Sequence, residues 1–392
     1  MAVTPSEGRG GGPLAGIKVI EMAGKGPVPF CAMLLADLGA EVLRLDRTVV
    51  EQRFPPRDPR LDAMSRGRRS LAIDMKNAGA RDVVLRLVAR ADAIIEGFRP
   101  GVMERLGIGP SECMEANPRL VYGRATGWGR DGPMSMLPGH DINYLAVSGL
   151  LDAFRRDDGK PMPPLNVLGD YAGGGLLLAF GVACALLAAR SSGQGQVVDA
   201  AMLDGVNAFA TLYHGLRNMG QWDLAPGSKV YDTGAPYYDT YRCADGRHIS
   251  VGAIEPGFYK ALLLGLGLDP ATQPPQNDRA HWPQTKACFA RIFATRTRDE
   301  WCQVFEGSDA CVAPVLSLAE APRHPHNVAR GAFLLEGDHA QPAPAPRFAR
   351  TPGRTHLPPP LLGEHTCAAL ADWGFGHDEI DALRQSGVVL QT

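Results

Sequence analysis

A strand, a glycine turn, a helix and a second strand follow one another at the start of this chain. Their repetition over residues 14–126 limits the fold more than any other feature. Residues 17–21 (IKVIE) form a short β-branched run suited to a buried strand. Gly24-Lys25-Gly26-Pro27 breaks it, residues 30–38 resume with helical spacing, and Gly39 stops them. Residues 41–45 (EVLRL) make the next strand. Consecutive parallel strands need a crossover, and a helix of this length supplies one. The order recurs: a strand at 70–74, a helix at 80–91 with Val83, Val84, Leu87 and Val88 on one face, a strand at 93–96, a short helix containing Arg105, and a strand at 120–125. The expected fold class is α/β, with a large doubly wound, Rossmann-like domain. The glycines do not spell GxGxxG, and Asp46 at the end of the second strand is followed by Arg47, so a dinucleotide site is not signalled.

The remainder predicts a second domain, as a chain of 392 residues exceeds what one core usually supports. Residues 172–189 (AGGGLLLAFGVACALLAA) are uncharged and just reach membrane-spanning length. Charges close on both sides and the lack of a flanking aromatic belt favour a helix buried on all sides. A strand at 196–200 and a helix from Met202 complete a large domain over 14–218, with 1–13 a disordered lead and 48–69 an arginine-rich surface loop. Residues 219–235 read as a linker. A hairpin about Asp245-Gly246 and helices at 256–266 and 287–296 predict a small α+β domain over 236–330. The tail, 331–392, is proline-rich and extended, then helical over 364–386 as it returns to the large domain.

Charge and cysteines narrow the function. A net charge of −2 with no basic block argues against nucleic acid as the main partner. Eight scattered cysteines contain no CxxC, which predicts free thiols in a reducing compartment, with the cytoplasm as the default location. His324 and His326 flank a proline and have no third ligand nearby, so no metal site is expected.

Titratable residues concentrate in 137–175. His140 is a candidate base, since its ordinary pKa lies near neutrality. Asp170, thirty residues on, precedes three glycines and the apolar run, where it would cap a helix and act on a substrate from that helix start. Asn166 can donate to Asp170, Glu255 begins a helix, and the segment with Arg155, Arg156, Asp157 and Asp158 reads as a surface excursion. Arg47, Arg99 and Arg105 follow successive strand ends, where ligands of open parallel sheets bind and where a bidentate guanidinium suits phosphate.

Several stretches together resemble the family III CoA-transferase superfamily, from about Pro13 to the tail: LLADLGAEVLRLD (34–46), EGFRPGVMERLG (96–107), TGWGRDGP (126–133), GHDINY (139–144), PLNVLGDYAGG (164–174), QVVDAAMLD (196–204) and APYYDTY (235–241). The resemblance implies an interlaced homodimer whose site lies between the large domain of one chain and the small domain of the other. In its transferases the aspartate matching Asp170 is a nucleophile that carries acyl-anhydride and CoA-thioester intermediates. In its racemase branch a histidine stands where this chain has His140. There the residues matching His140 and Asp170 are the acid/base pair, with Glu255 supporting the histidine and Asn166 positioning the aspartate. The implied CoA contacts are Arg47, Arg99, Arg105, Lys25, Ala72, Asp141 and Tyr144, Lys25 replacing a residue that is often apolar in that branch. The activity implied is epimerisation of 2-methylacyl-CoA thioesters without any metal or cofactor, CoA being part of the substrate. Backbone N–H groups near Asp170 are the expected donors to the enolate oxygen. Transfer of CoA between carboxylic acids is the alternative activity, and a non-catalytic acyl-CoA binding protein is a further one.

Overall fold

The structure, a computed structural model, describes residues 11–49, 58–155, 159–222 and 227–392. The expected lead, except its last residues, lies outside that set. So do 50–57 of the surface loop, 223–226 of the linker, and Arg156, Asp157 and Asp158. Two compact units are present: 1–148 with 164–209 and 334–392, and 149–163 with 210–333.

The first unit carries a seven-stranded sheet. Its elements in chain order are β1 (Lys18–Met22), α1 (Pro27–Asp37), β2 (Glu41–Asp46), β3 (Arg68–Ile73), α2 (Ala80–Val88), β4 (Ala93–Glu96), α3 (Val102–Arg105), α4 (Pro110–Ala116), β5 (Val121–Thr126) and α5 (Asp141–Val147). After α6 (Leu150–Ala153), which belongs to the second unit, come a π-helix (Val167–Leu176), α7 (Leu177–Ser192), β6 (Val197–Ala201) and α8 (Met202–Phe209). The spatial order is β12-β3-β2-β1-β4-β5-β6, where β12 (Val389–Leu390) is the one antiparallel member. Strand order reverses between β1 and β4, which makes the gap beyond their carboxyl ends the topological switch point.

Alternation along each strand explains the two layers of helices. Ile20, Leu43 and Ile94 face one core, which α2, α4 and the C-terminal α14 (Thr366–Asp372) and α15 (His377–Gln385) cover. Val19, Val42 and Ile95 face the other, under α1 and α7. This is the doubly wound arrangement that the alternating pattern predicts. In α7, Leu178, Ala179, Val182, Ala185, Leu186 and Ala189 are buried, while Phe180 and Leu187 remain 65% and 69% exposed within the chain. The helix is therefore not buried on all sides. The stretch 167–192 is long and apolar enough to cross a membrane, but half of it is packed inside the chain, as in a core helix.

The second unit takes 149–163 out of the expected large domain, and its longer segment begins at Ala210, earlier than the expected linker; α8 packs within the first unit and α9 (Thr211–Asn218) buries no residue. Its sheet is antiparallel, β7 (Tyr238–Arg242), β8 (His248–Gly252) and β9 (Val312–Pro314), with the predicted Asp245-Gly246 turn between the first two. Helices α10 (Pro256–Gly265), α11 (Trp282–Phe293) and α12 (Arg298–Phe305) close an aromatic core around Tyr237, Tyr241, Phe289 and Phe293. α13 (Pro325–Arg330) follows. The stretch expected to be wholly extended contains a hairpin, β10 (Phe333–Glu336) and β11 (His339–Pro342).

The arginine-rich loop before β3 is not all surface. Arg66 and Arg68 are buried, the first paired with Asp37 (Nη2 to Oδ2, 2.6 Å) and the second with Glu21 (2.8 Å). Neither pairing has a local sequence signal, because each partner lies on an element far away in the chain.

Candidate active site

Turns at the carboxyl ends of β1, β2 and β4 carry Lys25, Arg47 and Arg99, while Arg105, Asp141, Tyr144 and Asp170 lie in helices and Ala72 lies within β3. Gly26, in the turn after β1, adopts φ 71° and lies against the Asp170 carboxyl, where a Cβ would stand 3.7 Å from Cγ. Asp170 is thus at the switch-point end of the sheet. Phe30 of α1 packs on Tyr171, ring centroids 5.2 Å apart, which holds α1 to the π-helix.

Asp170 does not cap a helix. It is the fourth residue of the π-helix, whose N-cap position is Asn166. π-Helical turns are rare and tend to occur at functional sites. Two glycines permit this one: the main chains of Gly173 and Gly205 approach so closely that a Cβ on Gly205 would lie 2.1 Å from the Gly173 carbonyl oxygen. Asn166 Nδ2 donates to Asp170 Oδ2 at 3.0 Å, the bond expected from their spacing.

His140 is exposed and begins α5 as its N-cap, its N–H donating to Asn143 Oδ1 at 3.0 Å. Asp141, beside it, is 3% exposed. Its Oδ2 accepts the N–H groups of Gly169 (2.5 Å) and Asp170 (2.9 Å), so its carboxylate serves the π-helix and is not presented as a CoA contact. The same two bonds occupy amides expected to meet an enolate. The N–H groups of Asp141 and Ile142, next to His140, have no acceptor among the described residues. Burial pushes the Asp141 carboxyl above its ordinary range, against the lowering effect of the two amide bonds and with added repulsion from Asp170.

Tyr144 is also buried, its ring edge-on to Trp128 at 4.8 Å. Burial, then the Asp170 and Asp141 charges, push its hydroxyl up to about 12. Ala72 is fully enclosed between β2 and β12, and its N–H donates to Thr366 Oγ1 at 3.1 Å, so it offers a ligand no surface. Arg47, Arg99 and Arg105 are exposed and unpaired among the described residues, one after β2, one after β4 and one in α3. Lys25 lies in the turn between β1 and α1. Glu255 is the exposed N-cap of α10, a helix-start acid as expected, and belongs to the second unit.

A network that sequence reasoning missed supports the arginine loop. Arg124 of β5 donates through Nε to Glu96 Oε1 (2.7 Å) and through Nη1 to Glu104 Oε1 (2.8 Å). Glu96 Oε2 accepts the Phe98 N–H at 2.7 Å, which fixes the turn leading to Arg99. The charged residues at the ends of β4 and β5 were its only trace in the sequence. No group of His, Cys, Asp and Glu side chains suited to a metal is found among the described residues.

Comparison with known proteins adds the following. A family model described as CoA-transferase family III matches residues 14–366. The sequence is 44% identical over 379 residues to a Mus musculus protein and 43% identical over 378 residues to a Homo sapiens protein, both named alpha-methylacyl-CoA racemase. Each alignment spans 96% of this chain and 97% of the relative. Among solved structures, that of Rv3272 from M. tuberculosis is similar with a TM-score of 0.74 at 26% identity, covering 91% of this chain and 99% of that one. The α/β architecture with a central parallel sheet is common to both.

Proposed function

The chain belongs to CoA-transferase family III, and on that premise we propose that it is an isomerase, an α-methylacyl-CoA racemase acting on 2-methylacyl-CoA thioesters. The observation that carries this reading is the tie between two helix starts: the residue next to His140 hydrogen-bonds the amide of Asp170. Similarity to two racemases over nearly the full chain supports it.

The α-proton of a thioester is a weak acid, so inversion requires a base on each face of the carbon and donors to the enolate oxygen. His140 and Asp170 are the two bases. Neutral His140 with protonated Asp170 serves one direction, and imidazolium with carboxylate serves the other. The pair exchanges between these forms as one coupled system. In the first direction the α-C–H electrons move into the enolate while His140 takes the proton. The enolate then takes a proton from Asp170 on the opposite face. The unbonded amides of Asp141 and Ile142 supply the oxygen donors. Only a proton moves, so the reaction needs no metal or redox cofactor. Asn166 orients Asp170 through its amide, and Arg47, Arg99, Arg105 and Lys25 hold the CoA phosphates.

The test is incubation of each epimer of 2-methylhexanoyl-CoA in D₂O, followed by NMR of the α-proton and chiral analysis. Exchange and interconversion are expected, and His140→Ala and Asp170→Ala should each nearly abolish inversion while leaving thioester binding in place. Absence of both exchange and inversion across a panel of branched thioesters would overturn the reading. A CoA adduct on Asp170 trapped by hydroxylamine would favour CoA transfer instead.

The reading includes a homodimer. The exposed apolar side chains of α7, Phe180 and Leu187, form a face that a second copy would cover. Phe180→Glu with Leu187→Glu should shift the mass measured by light scattering from two chains to one. An unchanged mass would remove this support.

A further inference from the structure

We propose that Asp141 is a positioning residue, a buried strut that sets Asp170 at its working distance from His140. This rests on the racemase reading above and assigns to Asp141 a part in that reaction which CoA contact does not describe. An aspartate in the first turn of a helix usually faces water and complements its own helix terminus. Asp141 turns away from its own helix instead. One oxygen, Oδ2, receives both the Gly169 and Asp170 amides, from an element twenty-eight and twenty-nine residues further along. The other, Oδ1, is buried with no hydrogen-bond partner among the described residues. An unsatisfied buried carboxylate oxygen is costly, so those two amide bonds are the compensation for placing the group there.

The approach is close enough to restrict the sequence. A Cβ on residue 169 would lie 2.7 Å from Asp141 Oδ2, so only glycine admits the carboxylate at this point. On the other side the strut is short. Asp141 is the first residue of α5 and His140 is its N-cap, fixed by the bond from its N–H to Asn143 Oδ1. The path from one proton-transfer residue to the other is therefore a single peptide unit, one side chain and one hydrogen bond. A shift of the Asp141 carboxylate moves the main chain of Asp170 relative to His140.

Inversion and exchange make different demands on that geometry. Exchange with solvent requires one base to remove the α-proton and return a deuteron to the same face. Inversion requires both bases within reach of one carbon. Loss of the strut should therefore suppress inversion more than exchange, whereas a general loss of folded protein lowers both equally. An asparagine should substitute, since a single oxygen accepts both amides and burial already favours an uncharged group.

The experiment compares wild type, Asp141→Ala and Asp141→Asn with both epimers of 2-methylhexanoyl-CoA in D₂O, measuring inversion and retained-configuration exchange. Peptide-level hydrogen exchange over the start of the π-helix is read in parallel. In D141A, inversion should fall roughly a hundredfold, the scale of a misplacement of about 1 Å. Exchange from the epimer whose α-proton faces His140 should fall less than about tenfold, and KM should stay within about threefold of wild type. Protection of the 169–170 amides should drop in D141A. D141N should restore both the inversion-to-exchange ratio and the protection. A D141A ratio equal to that of wild type, or a D141N variant as defective as D141A, overturns the proposal. Should D141A not fold, Asp141→Ser, too short to reach both amides, is read in the same assays. A wild type that neither exchanges nor inverts overturns the racemase reading separately, and amide protection unchanged in D141A overturns the strut whatever the reaction is.

Discussion

The Glu21–Arg68 pair offers a measurable link between the core and the site. Both side chains are 0% exposed, Arg68 Nη1 lies 2.8 Å from each Glu21 oxygen, and Nη2 donates to the Pro29 carbonyl at 3.1 Å. That last bond fixes the start of α1, one turn beyond the Gly26 backbone that faces Asp170. Arg68→Met fills much of the same volume but leaves Glu21 buried and unpaired, which should cost about 3–5 kcal/mol. Replacing both members, as in Glu21→Leu with Arg68→Met, removes the orphaned charge and should recover most of that loss. The pH dependence has a definite sign. Burial raises the Glu21 carboxyl above 4.5 even with Arg68 beside it, and the arginine's charge and hydrogen bonds oppose the rise. Without Arg68 that opposition is lost. A carboxyl raised in the fold favours folding while it is protonated, so its contribution is present below the unfolded value and is lost as pH rises through the folded one. The R68M penalty should therefore be small near pH ~4 and grow towards pH ~8. Urea midpoints of wild type, the single and the double variant across that range provide the assay. A single-variant cost below about 1 kcal/mol, a cost independent of pH, or a double variant no better than R68M would refute the reasoning.

Three further outcomes follow from the same geometry. Gly205→Ala places a methyl 2.1 Å from the Gly173 carbonyl oxygen, where only main chain can yield; it should cost at least about 1–3 kcal/mol and lower the thermal midpoint, and an unchanged midpoint would refute the close packing of α8 on the π-helix. Hydrogen bonding to Arg124 holds the Glu104 carboxyl down at about 2, so its stabilising effect is present above its ordinary 4.5 and is lost as pH falls towards 2; Glu104→Gln should flatten that acid limb of the unfolding curve. Arg47→Ala, Arg99→Ala and Arg105→Ala should each weaken CoA binding several-fold and reduce its salt sensitivity, as measured by calorimetry at two ionic strengths, with little change in stability because all three are exposed.

The features legible in the sequence were those with a local cause. Short β-branched apolar runs placed β1, β2, β4 and β5, and Asp245-Gly246 placed the hairpin turn, because strand propensity and turn chemistry act within a few residues. The donation from Asn166 to Asp170 was legible for the same reason, at a separation of four residues. Features set by a distant partner were not legible. Arg66 and Arg68 read as surface charge, since Asp37 and Glu21 lie 29 and 47 residues away. The resemblance implied a CoA contact at Asp141, whereas its carboxylate serves the start of an element 28 residues on. The π-helix shows the limit most clearly. Asp170 was expected to cap an apolar helix opened by three successive glycines, but the backbone there adopts a regular, uncommon conformation. What selects it is close packing on both sides: α8 meets Gly173, and Pro27 and Phe30 of α1 meet Gly174 and Gly175, where any Cβ would be crowded. The glycines act here as contact surfaces, so their role is defined by residues that the sequence places far from them. The same packing holds Asp170 against the Gly26 turn, which is the kind of placement that the proposed proton delivery to one face of a carbon needs.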